Sequence, residues 1–288
     1  MSRIHEALQR AESDHQFAAP TPPLQALPVV PTDAVVELHP AAAPAAPLSV
    51  EECLGRVRAT TWHPDERYLV THATGTGEPK LEEFRTLRAR LYQLRGNMPL
   101  KRVVMGSALP GEGKTFVAAN LAVSFVRQRG RRVLLVDADL RRPSLHYLLG
   151  TSCSPGLSDY LRGECDEFTA IQRGPIENLY FMAGGTTAEQ PAELVASSRF
   201  GALLDRVTPW FDWVLIDTPA AVPMADASIV AAHADGVLLV VQAETTQRDM
   251  AQRAKECFRQ RPVVGVVLNQ VHDQQAYNSY TYSYAKAK

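Results

Sequence analysis

The chain has 288 residues, is 45% hydrophobic and carries a formal net charge of −1. That suffices for one substantial core of about 200 residues with a tail or linker left over, and the near-neutral balance offers no global basic field for nucleic acid or an anionic membrane surface. The four cysteines (Cys53, Cys153, Cys165, Cys257) make no C-x-x-C pair, the eight histidines no H-x-x-x-H pattern, and no apolar run approaches the ~18–20 residues of a membrane helix, so a soluble, cytoplasmic protein with free thiols is expected.

Residues 1–16 place Ile4, Ala7, Leu8 and Ala11 at i, i+3, i+4 and i+7 behind Ser2 as N-cap, the spacing of a short amphipathic helix. Such a helix is marginal alone in water, which makes it a candidate docking element. Residues 17–50 carry eight of the twenty prolines, from Pro20 to Pro47, and read as an extended, flexible linker. Between Glu51 and Thr74 the pattern commits to no element beyond a short helical run near Val50–Ala59. A helix is predicted over Pro79–Arg95, where Leu81, Phe84, Leu87, Leu91 and Leu94 form an apolar stripe. Its charged face holds Glu82, Arg85 and Arg88 at the spacing E-x-x-R-x-x-R.

From Lys101 onward apolar runs alternate with helical ones: RVVMGS, VLLVDAD, NLYFMA, WVLID, GVLLVVQA and VVGVVLNQ, with helices starting near Lys114, Ala192 and Thr246. Near-continuous apolar strands separated by helices predict an α/β domain over residues 78–270, a parallel sheet sandwiched by helices. Residues 271–288 follow as a disordered tail in which Tyr277, Tyr280, Tyr282 and Tyr284 crowd together.

The chemistry begins at Ala108–Thr115, ALPGEGKT, between an apolar strand and a helix. It is a Walker A loop in which Ala108 stands where the first glycine usually does; glycine is needed chiefly at Gly111 and Gly113, where backbone must approach phosphate. Pro110, Gly111, Glu112, Gly113, Lys114, Thr115 and Phe116 form the expected nucleotide cradle, with Lys114 on the β- and γ-phosphates of ATP and Thr115 on Mg²⁺. Asp137 and Asp139 sit at and just past the end of one predicted strand, and Asp217 at the end of another. Ligands of open α/β sheets bind beyond those ends, so the three carboxylates should converge near the phosphates. Asp217 suits a magnesium-linked role, whereas Asp137 and Asp139 could hold metal or accept a proton from an attacking hydroxyl. Asn269, in VVLNQ, is placed to read the adenine edge.

The combination of PGEGKT, VLLVDADLRRPSLH, VLIDTPA, EEFRTLR and the tyrosine-rich tail resembles the bacterial tyrosine kinases of capsule and exopolysaccharide synthesis. GLSDYLRG at 156–163 and FMAGGTTAEQPAELVASSRF at 181–200 extend the resemblance over roughly residues 78–288. It implies a P-loop fold of the deviant Walker type related to ParA and MinD. It further implies that Lys114, Thr115, Asp137, Asp139 and Asp217 bind Mg-ATP and catalyse transfer, with Thr115, Asp139 and Asp217 on the metal, and that Glu82, Arg85 and Arg88 match an oligomerisation motif. The implied partners are a membrane-embedded activator of the polysaccharide chain-length-determinant type, expected on a separate polypeptide, and a phosphotyrosine phosphatase.

The expected reaction is autophosphorylation in trans, because twenty or so residues after the last strand reach roughly 60 Å at ~3.3 Å each. Each phosphate adds about −1.5 to −2 charge, so several on adjacent tyrosines should loosen the oligomer and thereby regulate polymer length or export. The alternative is a ParA/MinD-type nucleotide-switched ATPase. Those proteins resemble this fold but carry a lysine early in the loop, where this chain has Leu109 and Pro110.

Overall fold

The computed structural model describes residues 48–65, 67–69 and 79–271. The expected helix at 1–16, the linker as far as residue 47 and the tyrosines of the tail lie outside them. Eight strands make one sheet: β1 (Arg58–Ala59), β2 (Arg102–Ser107), β3 (Val133–Asp137), β4 (Ile171–Arg173), β5 (Leu179–Met182), β6 (Trp213–Asp217), β7 (Gly236–Gln242) and β8 (Val263–Asn269). Their order is β1-β4-β5-β3-β6-β2-β7-β8. All six apolar runs are strands. β3 and β6 are buried at every residue, as a sheet covered on both faces requires.

Every neighbouring pair is parallel except β4 and β5. The sheet is therefore mostly parallel rather than wholly so. A parallel connection needs a crossover of a dozen or more residues, and the short link over residues 174–178 permits only a reversal. Asn178 makes the turn at φ 64°.

On one face the helix Lys114–Val126 packs with the helix Pro79–Arg95. Phe125 stacks on Trp213 of β6 at 4.5 Å between centroids, and Tyr92 meets both rings edge-on at 5.6 and 5.5 Å. Leu81, Phe84 and Leu91 of the expected stripe are buried. The opposite face is closed by Phe200, Leu203 and Leu204 of the helix Ser198–Val207 and by Phe258. The helix expected from Thr246 begins at Arg248, after Gln247 as N-cap.

The compact unit begins at Leu48, well before residue 78. A helix at Val50–Arg56 opens with a Ser49–Glu52 capping box. Beyond it Trp62 donates to the Thr60 hydroxyl at 2.8 Å and meets Phe181 edge-on, while Leu69 is fully buried. These residues carry too little periodicity to be read from sequence, and packing against β4 and β5 fixes them instead. At the other end of the sheet β8 is an edge strand with Val266 and Leu268 exposed at 59% and 65%.

Candidate active site

The strand order brings three carboxyl ends side by side. Asp217 of β6 stands in register with Asp137 of β3 on one side and with Met105 of β2 on the other. β2 then runs into the loop that opens the helix at Lys114. The sequence expectation of convergence thus rests on register: adjacent parallel strands ending at the same height.

Ala108 is wholly buried and is not among the residues of positive φ, so an alanine serves there. Gly111 and Gly113 adopt φ of 86° and 87°, the left-handed region where a side chain is strained. A Cβ on Gly113 would also lie 2.0 Å from Asn269 Nδ2. The Glu112 carboxylate turns inward: Oε2 accepts from the Leu109 N–H at 2.7 Å and Oε1 from the Thr246 hydroxyl. It braces the loop internally, leaving the backbone of this segment for phosphate.

Thr115 Oγ1 donates to Asp217 Oδ2 at 2.6 Å, and Lys114 Nζ lies 3.9 Å from Asp139 Oδ2. Asp137 is fully buried; its Oδ2 accepts from the N–H groups of Ser144 and Leu145 at 2.9 and 3.0 Å, and its Oδ1 from that of Asp139 at 3.2 Å. Burial, followed by the nearby Asp217 charge, pushes Asp137 up to about 8, against the pull of those Leu145 and Ser144 donors. Burial also raises Asp217, to about 6, with Lys114 and the Thr115 hydroxyl drawing it down.

Asp217 Oδ1 is buried without a partner among the described residues. An unpartnered carboxylate oxygen beside a threonine hydroxyl fits a divalent cation. Mg²⁺ is commonly bound through one or two carboxylates together with phosphates and waters, a donor set that Asp217 and Thr115 could begin.

Asn269 sits against the loop, donating from Nδ2 to the Glu112 carbonyl at 2.9 Å, and the adjacent Gln270 donates from Nε2 to the Gly111 carbonyl at 3.1 Å. Thr246 and Gln270 touch the loop although sequence reasoning gave them no place there. Arg141, in the segment after Asp139, grips the buried Asp226 through two hydrogen bonds of 2.7 and 3.0 Å. Pro110 and Gly111 are exposed, and Phe116 packs at 6.0 Å from Phe84.

Glu82 and Arg85 lie on the exposed face of their helix as a 3.1 Å ion pair. Arg88 turns inward and donates to the Ser124 carbonyl of the neighbouring helix. The E-x-x-R-x-x-R face is thus tied to the helix that begins at Lys114.

A family model of the CobQ/CobB/MinD/ParA nucleotide-binding domain matches residues 107–288. The tyrosine-protein kinase YwqD of Bacillus subtilis (strain 168) is 35% identical over 197 residues, 67% of this chain and 83% of YwqD. The chain belongs to the bacterial tyrosine-protein kinases. The kinase is also 35% identical over 226 residues to the putative tyrosine-protein kinase EpsB of Ralstonia nicotianae, but spans 29% of that longer relative. The kinase domain of the Escherichia coli tyrosine kinase ETK superposes with a TM-score of 0.67 at 27% identity, covering 72% of this chain and 81% of that one. The kinase therefore carries out protein-tyrosine phosphorylation on a nucleotide-binding P-loop domain. No helix among its described residues is long and apolar enough to cross a membrane.

Proposed function

We propose that this kinase transfers the γ-phosphate of ATP to Tyr277, Tyr280, Tyr282 and Tyr284 of a neighbouring protomer. The observation that carries this reading is that β8 ends against the phosphate loop. Asn269 and Gln270 bind the carbonyls of that loop, and Gln270 stands only seven residues before Tyr277 in the sequence. From Val271 to Tyr284 an extended chain reaches about 40 Å, sufficient to enter an adjacent subunit.

Thr115, Asp139 and Asp217 would hold Mg²⁺, which supplies charge neutralisation across the β- and γ-phosphates. Lys114, drawn from Asp139 toward the phosphates, adds a fixed positive charge, and backbone N–H groups of the loop bind the phosphate oxygens. The tyrosine oxygen attacks the γ-phosphorus as the bond to the β-phosphate oxygen breaks and ADP departs. Asp137 or Asp139 takes the phenolic proton; Asp137, pushed up to about 8, is ionised in a growing fraction as pH rises toward that value and holds the proton once taken, and its Oδ1 accepts one backbone N–H and retains a lone pair.

The helix Pro79–Arg95 assembles the oligomer through Glu82 and Arg85. A membrane-embedded activator of the chain-length-determinant type, on a separate polypeptide, recruits the kinase to the inner face of the cell membrane, where phosphorylation cycles regulate exopolysaccharide length or export. A phosphotyrosine phosphatase resets the tail.

The test mixes two proteins in Mg-ATP, with and without the cytoplasmic segment of a candidate activator. One is Lys114→Met with its tyrosines intact; the other is active but has Tyr277, Tyr280, Tyr282 and Tyr284 replaced by phenylalanine. Phosphotyrosine mapped to Lys114→Met supports transfer in trans, whereas label confined to unmixed wild type points to transfer within one chain. Nucleotide hydrolysis with no phosphotyrosine on any chain would favour a nucleotide-switched ATPase.

A further inference from the structure

The Gly111 carbonyl shares a peptide plane with the Glu112 N–H, and the Glu112 carbonyl with the Gly113 N–H. In a trans peptide the carbonyl and the following N–H point in opposite directions. Both carbonyls are held by consecutive side chains, Gln270 Nε2 at 3.1 Å and Asn269 Nδ2 at 2.9 Å. Among the described residues neither N–H has a protein acceptor. Pinning the carbonyls turns the two N–H groups away from Asn269 and Gln270, toward the side of the loop where nucleotide phosphates would bind.

Three further features fit a built clamp. Gln270 holds φ of 57°, a left-handed conformation that a side chain avoids unless its surroundings impose it. The Glu112 carboxylate fastens the same peptide from within, through Leu109 and Thr246. Gly113 admits no side chain, because the Asn269 amide occupies that space.

We propose that Asn269 and Gln270 are positioning residues that act as a two-amide clamp on the phosphate loop, orienting the Glu112 and Gly113 N–H groups for the phosphates of the nucleotide. The inference rests on the nucleotide-site reading above. It assigns Asn269 a role distinct from reading the adenine edge, and it gives Gln270 a role where the sequence suggested none. The clamp also joins the last strand of the sheet to the loop, so β8 and the nucleotide site move together.

The experiment measures displacement of a fluorescent ADP analogue by ADP and by GDP, using full-length protein and the variants Gln270→Gly, Gln270→Glu and Asn269→Ser. Glycine accepts φ of 57° without strain while removing the exposed side chain with its amide; glutamate keeps the shape but presents an acceptor to an acceptor. A neutral hydrogen bond of about 0.5–1.5 kcal/mol corresponds to about a 2- to 12-fold change in affinity. The clamp predicts that each variant weakens ADP and GDP by the same factor in that range, with an unchanged ADP-to-GDP ratio and an unchanged melting temperature for Gln270→Gly. Collapse of the ratio in Asn269→Ser with no effect at Gln270 would overturn it in favour of base reading. Wild-type affinity retained in all three variants would overturn it as well. A wild type that binds neither nucleotide sinks the underlying site reading instead, so the two failures are distinguishable.

Discussion

Thr115 and Asp217 are joined by a 2.6 Å hydrogen bond from hydroxyl to Oδ2, while Oδ1 of the same buried carboxylate has no partner among the described residues. One oxygen is fixed and the other is left for a cation. An arrangement suited to catalysis is costly to the empty protein, because an unpaired buried charge is destabilising.

Asp217→Asn should therefore separate stability from activity. In metal-free buffer the variant is expected to melt a few degrees higher, since about 1 kcal/mol shifts a domain of this size by about 2–4 °C. Phosphotyrosine formation in Mg-ATP should fall at least about 100-fold. Calorimetry together with phosphotyrosine mapping checks both, and a variant that melts lower without metal contradicts the account.

The Arg141–Asp226 pair leaves a nearly buried carboxylate on one side and a partly exposed guanidinium on the other. Arg141→Met strands the carboxylate and should cost about 1–3 kcal/mol, below the usual cost of breaking a fully buried pair because of the arginine's exposure. Arg141→Met with Asp226→Leu should recover much of that loss. Urea denaturation of both variants measures it; a double variant less stable than the single one rules the explanation out.

Glu82 and Arg85 are exposed, so Arg85→Ala should leave thermal stability within about 1 kcal/mol of wild type while reducing the mass of any oligomer seen by light scattering. Arg88→Ala, which frees the Ser124 carbonyl, should lower the melting temperature as well. Equal thermal losses in the two variants would show that both arginines serve the fold.

Burial lowers the pKa of His233, helped by Arg102 and opposed by Asp205; its ring packs edge-on against Phe200 at 5.5 Å. A depressed histidine contributes stability that is fully present above the unfolded value of about 6.5 and is lost as pH falls through the folded value. His233→Gln should therefore lose less melting temperature than wild type between pH 7.5 and 5. The buried aspartates are common to both proteins and cancel in that difference. Parallel pH profiles for the two proteins would exclude a titrating His233.

The core strands were legible because β3, β6 and β7 are apolar runs of a length that only a strand buried on both faces explains. The positions of Asp137 and Asp217 were legible because each closes such a run, although a lone strand-end carboxylate is usually a cap or loop residue. β1 and β4 were not. They are only two and three residues long, and Gln172 of β4 is buried by satisfying Thr60, Thr151 and the Ser152 carbonyl. Such a polar network leaves no periodic trace. The contacts of Thr246 and Gln270 were equally hidden: they reach Glu112 and Gly111 across 134 and 159 residues of chain, and one sequence does not reveal which distant side chain meets a given carbonyl.

The edge strand β8 bears on how the purified protein behaves at high concentration. An edge strand with no second neighbour among the described residues, with Val266 and Leu268 exposed, can template another strand beside it, and such pairing has no natural end point. A closed oligomer of the kind proposed through the helix Pro79–Arg95 would have one. Scattering that climbs without limit as protein is concentrated would report the edge, and a plateau a closed oligomer. Val266→Lys places a charge on the edge without touching Glu82 or Arg85, so it should abolish the climb and leave the plateau standing.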